Sequence, residues 1–206
     1  MLKTLDNFYD ENNVYDISVI SNVGLTEDDL LKLSKIKNVE LAINIQEKDT
    51  YLEIEENNYV VKLIEYNSQM NNVYIKEGRL PKNSNEVSVD NALLENNNLK
   101  LGDSITIDGK KYSIVGNVIS PLYFSAERPN SNLGSGKVDY YIYVYNGFLD
   151  LEAYSNIYIT VKGAKKYLTN SDSYKKLINN VKKDIDLIKD KQQNIRYDEL
   201  YSDIIE

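Results

Sequence analysis

Apolar residues recur along the chain with two periods, and the switches between them predict the order of elements. Alternation with period two marks a strand with one buried face. It runs through Tyr15–Ile20, Val39–Gln46, Tyr51–Glu55, Tyr59–Tyr66, Glu86–Asp90, Ile105–Ile107, Tyr112–Val118, Val138–Tyr145 and Asn156–Lys162. Helical spacing appears at Leu30, Leu33 and Ile36, and again at Leu177, Ile178, Val181, Ile185 and Ile188, where each set forms one stripe of a helix. Leu2, Leu5 and Phe8 repeat the spacing over too short a run for more than a weak helix or a polar approach segment.

Polar punctuation sharpens the boundaries. Thr26 is followed three residues later by Asp29, a capping-box arrangement with Asp in the place of Glu. Glu27 and Asp28 add charge that suits the positive end of the helix dipole. Asp90 or Asn91 caps a short helix through Asn97 that turns Leu93 and Leu94 inward, and Ser171, Asp172 or Ser173 caps the last helix. Asp108-Gly109 is a favoured two-residue hairpin turn, because both positions accept positive φ. Gly116 marks a bulge or a close approach of chains, and Pro121 ends the ladder because it has no N–H. Turns are expected at Val23–Leu25, Glu56–Asn58 and Gly78–Pro81, and a helical turn at Phe148–Ala153. The expected class is α+β: mixed sheets with a capping helix, a β-rich subdomain and a long C-terminal helix.

Composition narrows the chemistry. The chain of 206 residues carries 32 acidic and 24 basic side chains, a formal net charge of -8, where a nucleic-acid binder shows a basic excess. Cys and His are both absent, which removes thiol and imidazole catalysis and His-ligated metals. There are 18 Tyr and no Trp, and Tyr suits half-buried strand faces with a wet hydroxyl. No stretch approaches the roughly 20 apolar residues of a spanning helix, and the start, MLKTLDNFYDENN, turns polar too soon for a signal peptide. Residues 165–191 hold eight Lys and four Asp, which reads as a solvated helix face beside an apolar seam, with an anionic docking surface as the alternative.

Candidate reactive groups each have a simpler role. Ser120 precedes Pro121 as a strand terminator and lies in no G-x-S-x-G elbow. Glu86, Asp90 and Asp103 offer carboxylates for a glycosidase pair, but Asp90 reads as a helix cap and Asp103 as a turn residue. Gly134-Ser135-Gly136-Lys137 imitates the end of a phosphate loop, yet Val138 stands where Ser or Thr is needed. No enzyme is expected, and no cofactor or metal. The long polar loop and its aromatic flanks are the better candidates for contact with a partner. There Tyr123, Phe124, Arg128, Tyr140 and Tyr141 supply amphipathic area at low entropic cost; alternation by itself turns one of Tyr140 and Tyr141 inward and the other outward.

One ordered series of motifs adds to this reading. Gly78-Arg79-Leu80-Pro81 is followed by Asn85-Glu86-Val87-Ser88-Val89, then Ala92-Leu93-Leu94, Leu101-Gly102-Asp103-Ser104-Ile105, Tyr112-Ser113-Ile114-Val115-Gly116-Asn117-Val118 and Ser120-Pro121-Leu122-Tyr123. The order resembles the extracytoplasmic, MacB-like periplasmic core domain of FtsX-like ABC transporter permeases of the Gram-positive type, over roughly residues 15–165. Gly78, Pro81, Glu86, Gly102, Asp103, Gly109, Gly116 and Pro121 are its structural positions here.

The resemblance implies a domain of a larger membrane protein at the extracellular face of the cell membrane, excised with an added Met1. Residues 1–14 would approach from a preceding membrane helix, 15–190 form the core, and 191–206 lead to a following membrane helix. The core would divide into about 15–85 with the C-terminal helix, and about 86–150. It further implies a non-catalytic module, coupled through the membrane helices of the intact permease to a cytoplasmic ABC ATPase. A second permease subunit is implied, and a peptide, lipid or cell-envelope protein outside. The alternative is a stand-alone extracellular ligand- or protein-binding module.

Overall fold

The computed structural model describes residues 2–123 and 129–205. The chain divides into two compact units, one of Met1–Glu11, Tyr15–Ile45 and Glu152–Glu206, the other of Asn12–Val14 and Gln46–Leu151. Residues 46–85, expected with the first unit, therefore belong to the second. Period and capping mark the elements of this stretch, but they carry no information on which sheet a strand joins.

The first unit contains α1 (Leu2–Glu11), β1 (Ile17–Leu25), α2 (Glu27–Ser34) and β2 (Val39–Ile45), then, across the insertion, β10 (Tyr154–Val161) and α4 (Asp172–Ile205). Among the described residues its sheet has the order β1-β10-β2, antiparallel throughout. The strand from farthest along the chain takes the middle, and it is buried on both faces. Ile157 and Ile159 are fully buried with Val161, while Tyr158 on the opposite face stacks on Tyr15 at 4.4 Å between ring centroids. Helices α2 and α4 contribute Leu33, Ile178 and Val181 to the core formed with Ile157, Ile159 and Val161, with Leu30, Ile36, Leu177, Ile185 and Ile188 packed around it. The Thr26 capping box is present in both directions: its hydroxyl accepts from the Asp29 N–H, and the Asp29 carboxylate accepts from the Thr26 N–H at 2.8 Å. Ser171 caps α4, accepting from the Tyr174 N–H at 3.2 Å. The expected turn at Val23–Leu25 is instead the bulged end of β1, where Gly24 at φ +79 lies so close to Ala153 that an added Cβ would sit 2.4 Å from the alanine methyl.

The second unit holds β3 (Glu47–Ile54), β4 (Asn57–Glu65), β5 (Tyr74–Gly78), β6 (Glu86–Asp90), α3 (Asn91–Asn97), β7 (Ser104–Ile107), β8 (Lys110–Ile119) and β9 (Tyr140–Val144). The β3–β4 turn is Glu55-Glu56, one residue earlier than expected, with Glu55 at φ 54. The strand order is β5-β8-β6-β9-β4-β3-β7, and β8 also pairs with β7, so six strands close into a ring. Closure follows from the ten residues of β8, which meet β7 over Lys110–Ser113 and β6 over Ser113–Val118. Closing the ring removes the open edges that its strands would otherwise present. Leu52, Val61, Val87, Val89, Ile107, Ile114, Ile142 and Val144 fill its core together with Leu93 of α3. The expected helical turn at 148–153 is absent, because its groups are committed elsewhere. Leu149 N–H donates to the buried Glu65 carboxylate at 2.7 Å, Gln46 donates to the Leu151 carbonyl at 3.3 Å, and Phe148, Leu149 and Leu151 pack on the barrel core.

Candidate functional site

The motif residues of the second unit converge on the backbone crossing of β5, β6 and β8. Gly116 carries no side chain where chains meet: a Cβ there would lie 2.1 Å from the Arg79 carbonyl oxygen and 2.7 Å from Ser88 Oγ. Ser88 uses that same carbonyl as acceptor at 2.8 Å. Arg79 then turns back to grip Glu86 through two hydrogen bonds of 2.6 and 2.7 Å, and the Lys82 N–H adds a third at 2.9 Å. The guanidinium and this N–H hold the Glu86 carboxyl down to about 2. Asp103 accepts from the Lys100 N–H at 2.8 Å, and Gly102 N–H reaches the Ile114 carbonyl. Asp90 caps α3 through the Ala92 N–H at 2.8 Å. All three carboxylates considered for a glycosidase pair are thus held in structural hydrogen bonds. Among the described residues no three acidic groups cluster to hold a metal ion.

The glycine loop is a tight turn and not a phosphate cradle. Ser131 N–H bonds to the Gly136 carbonyl, Gly136 N–H to that of Leu133, and Lys137 Nζ to Asn130 Oδ1 at 2.8 Å. Gly134 N–H, which a phosphate would need, donates to the Tyr51 hydroxyl at 3.1 Å.

The tyrosines of β9 and the segment after β8 form the most distinctive site of this unit. Alternation sends Tyr140 into the barrel, where its ring meets Tyr59 edge-on at 5.2 Å. Tyr141 and Tyr143 take the other face, yet they too are buried, at 2% and 4% exposure. They are covered by residues after β8: Tyr123 stacks on Tyr141 with ring centroids 3.6 Å apart and 7° between planes, and the Tyr143 hydroxyl donates to Ser120 Oγ at 2.7 Å. Burial raises the Tyr143 phenol far above its ordinary range, so it stays a neutral donor. Asp90, Asn91, Val118, Ser120, Tyr123, Tyr141 and Tyr143 border a cavity of about 260 Å³. One wall is polar and fixed: Asn91 Oδ1 accepts from Asn117 at 2.9 Å and from Lys76 at 2.7 Å.

Of the five expected contact residues, Tyr123, Tyr140 and Tyr141 are placed. Tyr123 and Tyr141 border the cavity, Tyr140 sits inside the barrel, and Phe124 and Arg128 lie outside the described residues. Asp90, Asn91 and Ser120 also face the cavity, and sequence reasoning assigned them only capping and terminating roles. No local pattern brings them beside Tyr143, because the pairing of β6 with β8 on one side and β9 on the other does so.

No family model matches the chain, and no curated protein does. Among solved structures, the extracellular domain of the noncanonic ABC-type transporter YknZ from Gram-positive bacteria aligns at 15% identity and a TM-score of 0.47, over 78% of this chain and 86% of that one. The periplasmic region of MacB from Actinobacillus actinomycetemcomitans aligns at 15% identity and a TM-score of 0.47, over 85% of each chain.

Proposed function

We propose that the chain is a non-catalytic extracellular domain of an ABC transporter permease. In this role it couples motion of membrane helices, driven by a cytoplasmic ATPase, to recognition of a substrate or partner outside the cell. The observation that carries the reading is the ordered motif series from Gly78 to Tyr123, in which Arg79 pairs with Glu86, Asp103 accepts from the Lys100 N–H, and Gly78 and Gly116 sit against neighbouring backbone. Such a series specifies a mechanical scaffold and supplies no nucleophile or free acid–base pair. In the first unit α1 is tied to the segment that leads into α4. Asp6 accepts from the Thr169 hydroxyl at 2.6 Å, and Lys165 donates to the Asp10 carbonyl at 2.9 Å. A displacement delivered along either helix would therefore be shared by both. No described helix is long and apolar enough to cross a membrane, so on this reading the spans belong to a larger protein.

The recognition surface in this reading is Tyr123 and the cavity beside it, with Tyr141 and Tyr143 as a rigid platform. The test is a blot of fractionated native cells with an antibody against the domain. A membrane band well above 23.7 kDa, trimmed by protease added outside intact cells, is the expected result. A soluble band near that mass overturns the transporter reading and leaves the stand-alone binding module.

A further inference from the structure

Strand β1 is an edge strand: β10 pairs with one side of it, and among the described residues no strand pairs with the other. Alternate residues of such a strand turn their N–H and C=O groups outward, where they can template another strand. Proteins usually blunt such an edge with charge or proline. β2, the opposite edge, carries exposed Glu40, and β5 carries Lys76 and Glu77. β1 reads ISVISNVGL over nine residues, without a charge or a proline, and its Ile20 is 70% exposed. A groove of about 300 Å³ runs beside it, closed on the far side by α4. Consecutive residues Ile17–Ser21 line this groove, so the strand's edge borders it and not one pleated face alone. Its floor is apolar, with Leu25, Leu33, Ile185 and Ile188.

The helix wall sets the chemistry of an occupant. Lys182, Lys189 and Arg196 line the groove against Asp186 and Asp29. Asp29 has both carboxylate oxygens engaged, by the Thr26 N–H and by Gln192 at 2.8 Å. Arg196 already shows how the edge is used, since its Nε donates to the Val23 carbonyl at 3.2 Å. In a chain of net charge -8, this wall is locally basic. We propose that β1 is a docking edge for an extended polypeptide of another protein, which adds a strand to the sheet and lays every second side chain into the groove, apolar ones over the floor and acidic ones against the α4 wall. Backbone pairing supplies affinity in this mode, and the alternate side chains supply specificity.

The test is selection from a displayed random library of peptides about eight residues long, a usual strand length, on the full 206-residue chain. The selected peptides are then synthesised and measured by fluorescence anisotropy. The expected peptides carry apolar and acidic residues at every second position, the set that faces the groove. They slow amide exchange in 17–25, bind about tenfold more weakly to the Lys182→Glu/Lys189→Glu variant, and lose binding when alternate amides are N-methylated. Both lysines are exposed, so the variant folds. Failure to enrich any peptide, unchanged affinity for the variant, or protection confined to other amides overturns the proposal. None of these outcomes bears on membrane attachment, so the transporter reading stands or falls separately.

Discussion

The guanidinium of Arg79 and the carboxylate of Glu86 face each other in a two-pronged pair, at 2.6 and 2.7 Å. This pair joins two motifs seven residues apart and clamps the loop that brings the Arg79 carbonyl over Gly116. Both partners keep contact with water, with relative side-chain exposures of 42% and 17%, so the bond acts chiefly as a geometric latch.

The latch gives a pH dependence of known sign. Glu86 is held at about 2 against an ordinary 4.5, so its contribution is present above 4.5 and lost as pH falls through the folded value. The Glu86→Gln variant should be less stable than the parent at pH 7, and the difference should shrink between pH 4.5 and 2. Urea titrations across that range check it; a constant difference would refute the assignment.

Asp16 should behave in the opposite sense. It is half-buried, and desolvation raises its carboxyl above the usual value although the Val161 N–H (2.7 Å) and the Tyr174 hydroxyl (2.8 Å) both donate to it. Stability linked to Asp16 is full below its unfolded value of 3.8 and declines as pH rises through the raised folded value. Asp16→Asn keeps an acceptor for Val161 and turns its amide toward the Tyr174 oxygen. Thermal melts from pH 3 to 7 should show a flatter profile for this variant.

Two glycines separate steric from conformational cost. Gly116→Ala forces a methyl against the Arg79 carbonyl at 2.1 Å and should cost about 1–3 kcal/mol, the range for overpacking. Gly109→Ala meets no atom within 4 Å but sits at φ +74, so only backbone strain of about 1–2 kcal/mol is expected. A Phe at each position discriminates further by denaturation midpoint: it should worsen the defect at 116 and leave that at 109 nearly unchanged.

Thr26→Ala removes the hydroxyl half of the α2 capping box and should destabilise by about 1 kcal/mol. Hydrogen exchange should accelerate first at Asp29 N–H, which the hydroxyl holds. Uniform acceleration through the sheet would mean that Thr26 has a role beyond capping.

Tyr123→Ala strips the stacked ring from Tyr141. A loss of about 0.5–1.5 kcal/mol beyond simple burial is expected, with a change in near-UV circular dichroism from the tyrosines. On the proposed function, the Tyr123→Ala/Arg128→Ala variant should lose transport or sensing in the intact transporter while the domain stays folded. Unchanged function would move the recognition surface elsewhere.

Local rules were enough for much of this molecule. The Thr26–Asp29 box, the Asp90 cap, the Asp108-Gly109 turn and the helical stripe of α4 each depend on residues within one or two turns of chain, and each stands where its residues placed it. Gly116 reads from the sequence as a bulge or a close approach of chains, and an added Cβ there would lie 2.1 Å from the Arg79 carbonyl oxygen. Tertiary pairing decided the rest. Period two put Tyr140 and Tyr141 on opposite faces, but both are buried because Tyr123 folds back over the outer one. Nothing in β10 announces that it lies between β1 and β2, and nothing in β8 announces that it closes a barrel. Alternation defines which face of a strand is apolar and leaves its partners open, because every strand offers the same backbone donors and acceptors along its edges. Which edges meet, and which stay open, depended on how each sheet buries its apolar faces.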